Sequence, residues 1–486
     1  MNGTGSDAPV IAVTDSSESV GFQTKILAFF ITVLLFVAGL AGLLAFEHPT
    51  DRIKYIAVIP ACAGGIALLL SLSHWPELVI HLCLIGVILD QWEGLSFTGL
   101  PFLTFTKILF LSAFGLLLLR DFIAPERKKP WNLPTIALAH LPFSIICLGS
   151  TVAFAYSLKS SLRWCIAPLT LPILSIVLAQ FIHEQKQSIR LLKAFALYSF
   201  FPMLVALLES LINRRITGGM NFVLYGIDDI FRVAGNFENP NDFVVLMLFS
   251  VPVLLCWAVL VPSWWAKCLL LGGCVFELLI LVKTYSRSGY ISMAFTLFAL
   301  ALLSKGRLRK VSWAVCLAGM VIFVSLPETR DRLMTLAGIR TEGPGVSQAL
   351  ASLSFRKQLF QIAWWEFLEN PVMGVGFGNI GARAKTYSSM LNTKSTAENT
   401  YIEILAEMGL IGFSAFLFFL YMAWKTMWTG LQRCRGNPGV EALFCGLAAG
   451  YCGFAFNSLF DTNIPDNLPW ILLPVMAYLG TSGKTA

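Results

Sequence analysis

Phe243-Val-Val-Leu-Met-Leu-Phe-Ser-Val-Pro-Val-Leu-Leu-Cys-Trp-Ala-Val-Leu-Val261 is a run of 19 residues with no charge and one hydroxyl, that of Ser250. A helix of that length reaches across roughly 30 Å of hydrocarbon, so the run reads as a membrane span. It is not isolated. Comparable apolar blocks occupy residues 26–46, 55–72, 78–92, 100–119, 135–156, 164–182 and 191–212 before it. Others follow at 268–285, 290–303, 311–326, 401–424, 442–460 and 468–478. The third block and the last are short, so the expectation is about 14 spans, within 12–14, in an all-α polytopic membrane protein.

Composition agrees. The 486 residues are 56% hydrophobic and 13% charged, against roughly a quarter charged in a soluble domain. That excludes a water-soluble enzyme, a disordered chain and a small disulfide scaffold. The 11 cysteines are odd in number, form no CxxC pair and lie mostly in apolar blocks, so they read as packing residues. The net charge of +7 is an orientation signal rather than a nucleic-acid one. With the N-terminus inside, the inner segments carry seventeen Lys/Arg and the short outer loops nine. That is the bias expected of cytoplasmic termini.

The chain divides accordingly. Residues 1–24, rich in Gly, Ser, Thr and Asp, read as a disordered cytoplasmic tail. Residues 25–212 are N-terminal spans, and 213–326 are central spans with arginine-bearing outer loops. Residues 327–400 form a large outer loop, and 401–486 hold the last spans. The stripe Phe355, Leu359, Phe360, Ala363, Trp364, Phe367 and Leu368 predicts a helix within that loop, ended by Asn370-Pro371. The loop is therefore expected to be an ordered helical cap at the membrane surface.

The polar outliers cluster on the expected outer side. They are Arg232-Val-Ala-Gly-Asn-Phe-Glu-Asn-Pro-Asn241, Thr284-Tyr-Ser-Arg-Ser-Gly-Tyr290, Asn370-Pro-Val-Met-Gly-Val-Gly-Phe-Gly-Asn379 and Ala397-Glu-Asn-Thr-Tyr-Ile-Glu-Ile-Leu-Ala-Glu-Met-Gly-Leu410. A guanidinium at the bilayer rim is costly unless it snorkels or meets a partner, and its fork suits a phosphate. Arg232, Arg287 and Arg356 thus form a candidate diphosphate site, with interfacial anchoring as the bland alternative. Glu398 reads either as a helix N-terminal acid or as a general base toward a sugar hydroxyl. The glycine run from Gly374 to Gly378 follows no strand and reads as a structural turn.

In order and spacing these motifs resemble the O-antigen ligase and polymerase superfamily of Wzy-type membrane glycan polymerases and the lipid A-core ligase. The matching elements are R-x-x-G-x-F-x-N-P-N (Arg232 to Asn241), Ser286-Arg287-Ser288, N-P-x-x-G-V-G-x-G-N (Asn370 to Asn379), the stretch Glu398 to Gly412, and Asn457-Ser-Leu-Phe-Asp461 with Pro465 to Trp470. The resemblance implies a C-type glycosyltransferase architecture in the bacterial inner membrane, with the site facing the periplasm. It implies an undecaprenyl-diphosphate-linked glycan as donor, a lipid-linked glycan or lipid A-core as acceptor, and a chain-length regulator protein as a further partner. No cofactor, metal or nucleotide sugar is implied. The arginines would hold the diphosphate and Glu398 would act as base. Asn239, Asn241, Asn399 and Tyr401, inside the matched motifs, would contact substrate.

One departure matters. Ligases of the family commonly carry histidine where this chain has Glu398. The five histidines here, His48, His74, His81, His140 and His183, all lie outside 327–400. That favours a polymerase over a ligase. A flippase of lipid-linked glycans would suit the span count, but no repeat relates the two halves. The in-span acids Asp90, Glu209 and Glu277 look scattered.

Overall fold

The computed structural model describes residues 76–90, 113–115, 117, 133–156, 158–216, 223–224, 230–237, 239–325, 346–381, 383, 396–463 and 467–480. The expected tail at 1–24, the spans at 26–46 and 55–72 and most of the span at 100–119 lie outside the described residues. Two compact units are distinguished, the larger being Ile80–Phe110 with Lys129–Ala486. Every contact given below lies within that larger unit.

The described helices are α1 (Pro76–Asp90), α2 (Thr135–Phe154), α3 (Leu158–Ala179), α4 (Gln185–Tyr198), α5 (Phe200–Ile212), α6 (Pro240–Leu260) and α7 (Trp264–Lys283). They continue with α8 (Arg287–Leu303), α9 (Gly306–Ser325), α10 (Val346–Glu369), α11 (Thr400–Cys434), α12 (Pro438–Asn457) and α13 (Asn467–Leu479). A two-residue antiparallel pairing, Val223–Leu224 with Ile230–Phe231, interrupts the helices between α5 and α6. Among the described residues six helical stretches are long and apolar enough to cross a membrane. Large apolar side chains on them point outward, such as Ile145, Val152, Leu211 and Leu269. That is the face a lipid solvent selects. The chain is a multi-pass membrane protein.

Capping residues explain where these helices begin. Asn239 accepts from Asn241 N at the start of α6, with Pro240 at N1 and Asp242 in the first turn. Asn437-Pro438 opens α12 in the same way. Asn399 caps α11, accepting from Tyr401 N and Ile402 N, and Ser286 caps α8 through Gly289 N. The helix α6, with the highest mean hydropathy (2.7) and most of its residues buried, is the centre around which α7, α8 and α12 pack. Beside it, α11 packs on α2, and α10 lies against α11.

Two expected spans are interrupted, one of them by a true kink. Residues 191–212 are divided at Ser199 between α4 and α5. Pro202 lacks the N–H that would bond the Tyr198 carbonyl, and Ser199 Oγ turns instead to the buried carboxylate Glu277 at 2.7 Å. The carboxylate is also bonded by Ser250. In α11, Gly409 takes φ 62° and ψ −166°, a full break in the ladder. The run after Asn370-Pro371 docks into that break. Leu410 N and Ile411 N donate to the Pro371 and Val372 carbonyls at 2.8 and 3.2 Å, while Val375 N and Gly376 N donate to Ala406 and Glu407 carbonyls at 3.2 and 2.9 Å. Backbone groups freed by the kink are thereby satisfied, as they must be inside a membrane.

Candidate active site

The motif loops meet at one end of the bundle. Arg232 Nε donates to the Thr284 carbonyl at 2.9 Å, and Val233 N to the Lys283 carbonyl at 3.2 Å. The Arg232 stretch therefore runs along the turn that presents Arg287, the first residue of α8. Asn241 Oδ1 accepts from Ser286 Oγ at 2.8 Å, tying the start of α6 to the same turn. Tyr285 in that turn holds φ 50°.

A second group surrounds the start of α11. Arg356, on α10, forms an ion pair with Glu398 at 3.1 Å, with both side chains about a third exposed. Glu398 holds φ 53°, in the left-handed region that a glutamate enters only under constraint. Asn399 caps α11 and donates from Nδ2 to the Leu459 carbonyl at 2.8 Å. The Tyr401 hydroxyl donates to the Ala455 carbonyl at 2.8 Å.

Asp461 joins the two groups. It is 6% exposed and follows the end of α12. Its backbone carbonyl accepts from Thr400 N at 3.1 Å and Thr400 Oγ1 at 2.9 Å, and its Oδ1 from Thr462 N at 2.9 Å. Its carboxyl is pushed up to about 7 by burial and by the neighbouring Glu398 carboxylate, against the opposing pull of the Thr462 N–H, Arg356 and the Asn241 side chain. Thus Asn241, Arg356 and Glu398, read separately from the sequence, all act on one carboxylate that the reading did not single out. The available signal was an acid just past a span end in the pattern Asn457 to Asp461.

Buried glutamates hold the loops in place. Glu209, at the end of α5, accepts from Ile216 N, Ala234 N and Gly235 N at 3.3, 3.1 and 3.0 Å and pairs with Arg215 at 3.1 Å. Arg215 in turn donates to the Phe237 carbonyl at 2.5 Å. Glu407 accepts from Gly378 N at 2.8 Å and Ile380 N at 3.0 Å, fixing the glycine run. These acids are the scaffold of the motif loops, a role their scattered sequence positions did not disclose. Among the described residues, no group of three or more His, Cys, Asp and Glu has a metal-site arrangement.

Residues 272–417 match the family model for O-antigen ligase. That segment supports the O-antigen ligase/polymerase superfamily. The O-antigen ligase match runs from within α7 to beyond the kink of α11, taking in Arg287, Arg356, Glu398, Asn399 and Tyr401. Arg232, Asn239, Asn241 and Asp461 lie outside it and reach the matched segment through the contacts above. No curated protein matches the chain.

On α10 of the O-antigen ligase segment, Glu366 is fully buried against Arg383, 3.8 Å away. Burial raises its carboxyl to about 7, with Arg383 opposing and Glu369 and Glu403 adding to the rise. The folded chain therefore holds a proton there at pH values where the unfolded chain has released it. The resulting stability is complete below about 4.5 and is lost as pH rises through about 7. Apparent unfolding temperature in detergent should fall between about pH 5.5 and pH 8, and Glu366→Gln should flatten that fall. An unchanged slope in the variant would refute the assignment.

Proposed function

We propose that the chain is a membrane glycosyltransferase of about fourteen spans and C-type architecture, its site facing the periplasm and its termini in the cytoplasm. In this reading it polymerises undecaprenyl-diphosphate-linked repeat units into surface polysaccharide. The observation that carries it is the meeting of arginine-bearing turns, Glu398 and Asp461 at one bundle end, next to an apolar cavity. That cavity, about 220 Å³, has Thr400, Tyr401, Ser458 and Asn463 at its polar part and Phe143, Phe416, Phe419 and Trp470 along its walls. A polar end and an aromatic-lined interior suit a substrate with a charged head and a hydrocarbon tail.

Arg232, Arg287 and Arg356 neutralise the diphosphate as it leaves, stabilising charge that grows in the transition state. Glu398 takes the proton from the acceptor hydroxyl while that oxygen bonds to the anomeric carbon and the carbon–phosphate oxygen bond breaks. A single displacement inverts the anomeric configuration. Asn239, Asn241, Asn399 and Tyr401 line the acceptor and donor approaches. No metal or cofactor takes part.

The family's description as an O-antigen ligase favours a second reading, transfer of finished glycan from undecaprenyl diphosphate to lipid A-core or protein, whereas a glutamate in place of histidine favours polymerisation. Purified protein with synthetic undecaprenyl-diphosphate oligosaccharide as its one substrate separates them. A ladder of lipid-linked repeats is expected. Turnover only after lipid A-core is added would establish the ligase, and unaltered substrate in both would sink the proposal.

A further inference from the structure

Glu403 lies one turn into α11 and is 4% exposed. Its Oε2 accepts two hydrogen bonds, from Ala397 N at 2.9 Å and from Thr462 Oγ1 at 2.6 Å. Ala397 is the residue before Glu398, and Thr462 is the residue after Asp461. One oxygen therefore ties together the two loops whose carboxylates face each other in the site.

Capping does not account for it. Asn399 already satisfies Tyr401 N and Ile402 N at the start of α11, so the helix end does not need a second acid. Burying a carboxylate is costly unless its hydrogen bonds return the loss. Here both bonds go to chain segments outside α11. The segment on one side is under strain, because Glu398 holds a left-handed backbone, and such a conformation persists only where its surroundings fix it. The segment on the other side is fixed by further bonds to the same turn, Thr400 Oγ1 to the Asp461 carbonyl and Asn463 N to Thr400 Oγ1 at 3.0 Å.

We propose that Glu403 is a positioning residue that sets Glu398 against Asp461 and Arg356 by holding Ala397 and Thr462 on a single carboxylate oxygen. It touches no substrate. The inference rests on the reading of Glu398 as the base.

The test uses the full chain in lipid nanodiscs, with undecaprenyl-diphosphate oligosaccharide as probe. Thr462→Val removes one of the two bonds without emptying the site. It should lower kcat about tenfold, the scale of one lost hydrogen bond, with donor KM and the yield of folded protein unchanged and only a small drop in unfolding temperature. Glu403→Ala removes both and should lower kcat about 100-fold, as a misplacement near 1 Å does. Glu403→Gln keeps an acceptor oxygen and should recover most of the rate.

Full kcat in Thr462→Val overturns the proposal. So does a loss in Glu403→Ala that matches the loss of folded protein, or a change confined to donor KM. Glu398→Gln separates the two levels. Full rate in that variant removes the base and this inference together. A dead Glu398→Gln beside a fully active Thr462→Val removes only the role of Glu403.

Discussion

Glu398→Gln lowers kcat by about 10²–10⁴-fold, the range supplied by a positioned general base, in an assay that follows lipid-linked product. Glutamine keeps the shape and an oxygen for the 3.1 Å contact with Arg356, so the cap helix stays where it is. What it loses is the capacity to accept a proton from the acceptor hydroxyl. The effect should fall on kcat rather than on donor KM, because the donor's charge is met by arginines. Arg287→Ala should show the complementary pattern, with loss in kcat and donor KM together, since a guanidinium holds the diphosphate in both ground and transition states. Retention of more than about a tenth of the Glu398 rate, a smaller drop than any expected of a lost base, would remove the base assignment.

Gly374→Ala destabilises the protein by about 3 kcal/mol, the sum of two costs of similar size. Gly374 holds φ 71°, where an L-residue is strained, and a Cβ there would overlap the backbone carbon and oxygen of Glu407. Gly409, across the contact, stands in the same relation to the Val372 backbone. The pair lets two main chains touch, which is what allows residues 370–376 to satisfy the broken ladder of α11. Pushing them apart unseats Val375 N and Gly376 N as well. A lower unfolding temperature and reduced yield of monodisperse protein are the expected readout. Gly272→Ala is the control, because nothing lies within 4 Å of a Cβ there, and a surface change of that kind stays within about 0.5 kcal/mol. Equal behaviour of the two variants would contradict the argument.

The helices were legible because their cause is local. Long apolar runs between Asn-Pro and Ser starts gave α6, α8 and α12 nearly at their observed bounds. The run from Tyr401 gave the start of α11 but stopped ten residues short of its end at Cys434, and the stripe from Phe355 to Leu368 gave α10. The arginine and Glu398 motifs were legible as polar residues out of place in an apolar chain. The break at Ser199 was readable in Pro202 but masked by the apolar run around it. The kink at Gly409 was not, since a glycine inside a helical pattern tells little until a second backbone is found lying against it. Asp461, Glu403, Glu407 and Glu209 were missed for one reason. Their work is done across tens to hundreds of residues, and periodicity reports only on near neighbours.

The Arg356–Glu398 pair has a kinetic consequence under the proposed reading. The same arginine is asked to hold the departing diphosphate, and an empty enzyme instead spends it on the base. A carboxylate oxygen already bonded by a guanidinium is occupied and is not turned toward an incoming hydroxyl. When the lipid diphosphate competes for Arg356, Glu398 is released at the moment an electrophile is present. The two substrates would then act in compulsory order, donor before acceptor. A glycan end wandering into the vacant site would find no base to activate it.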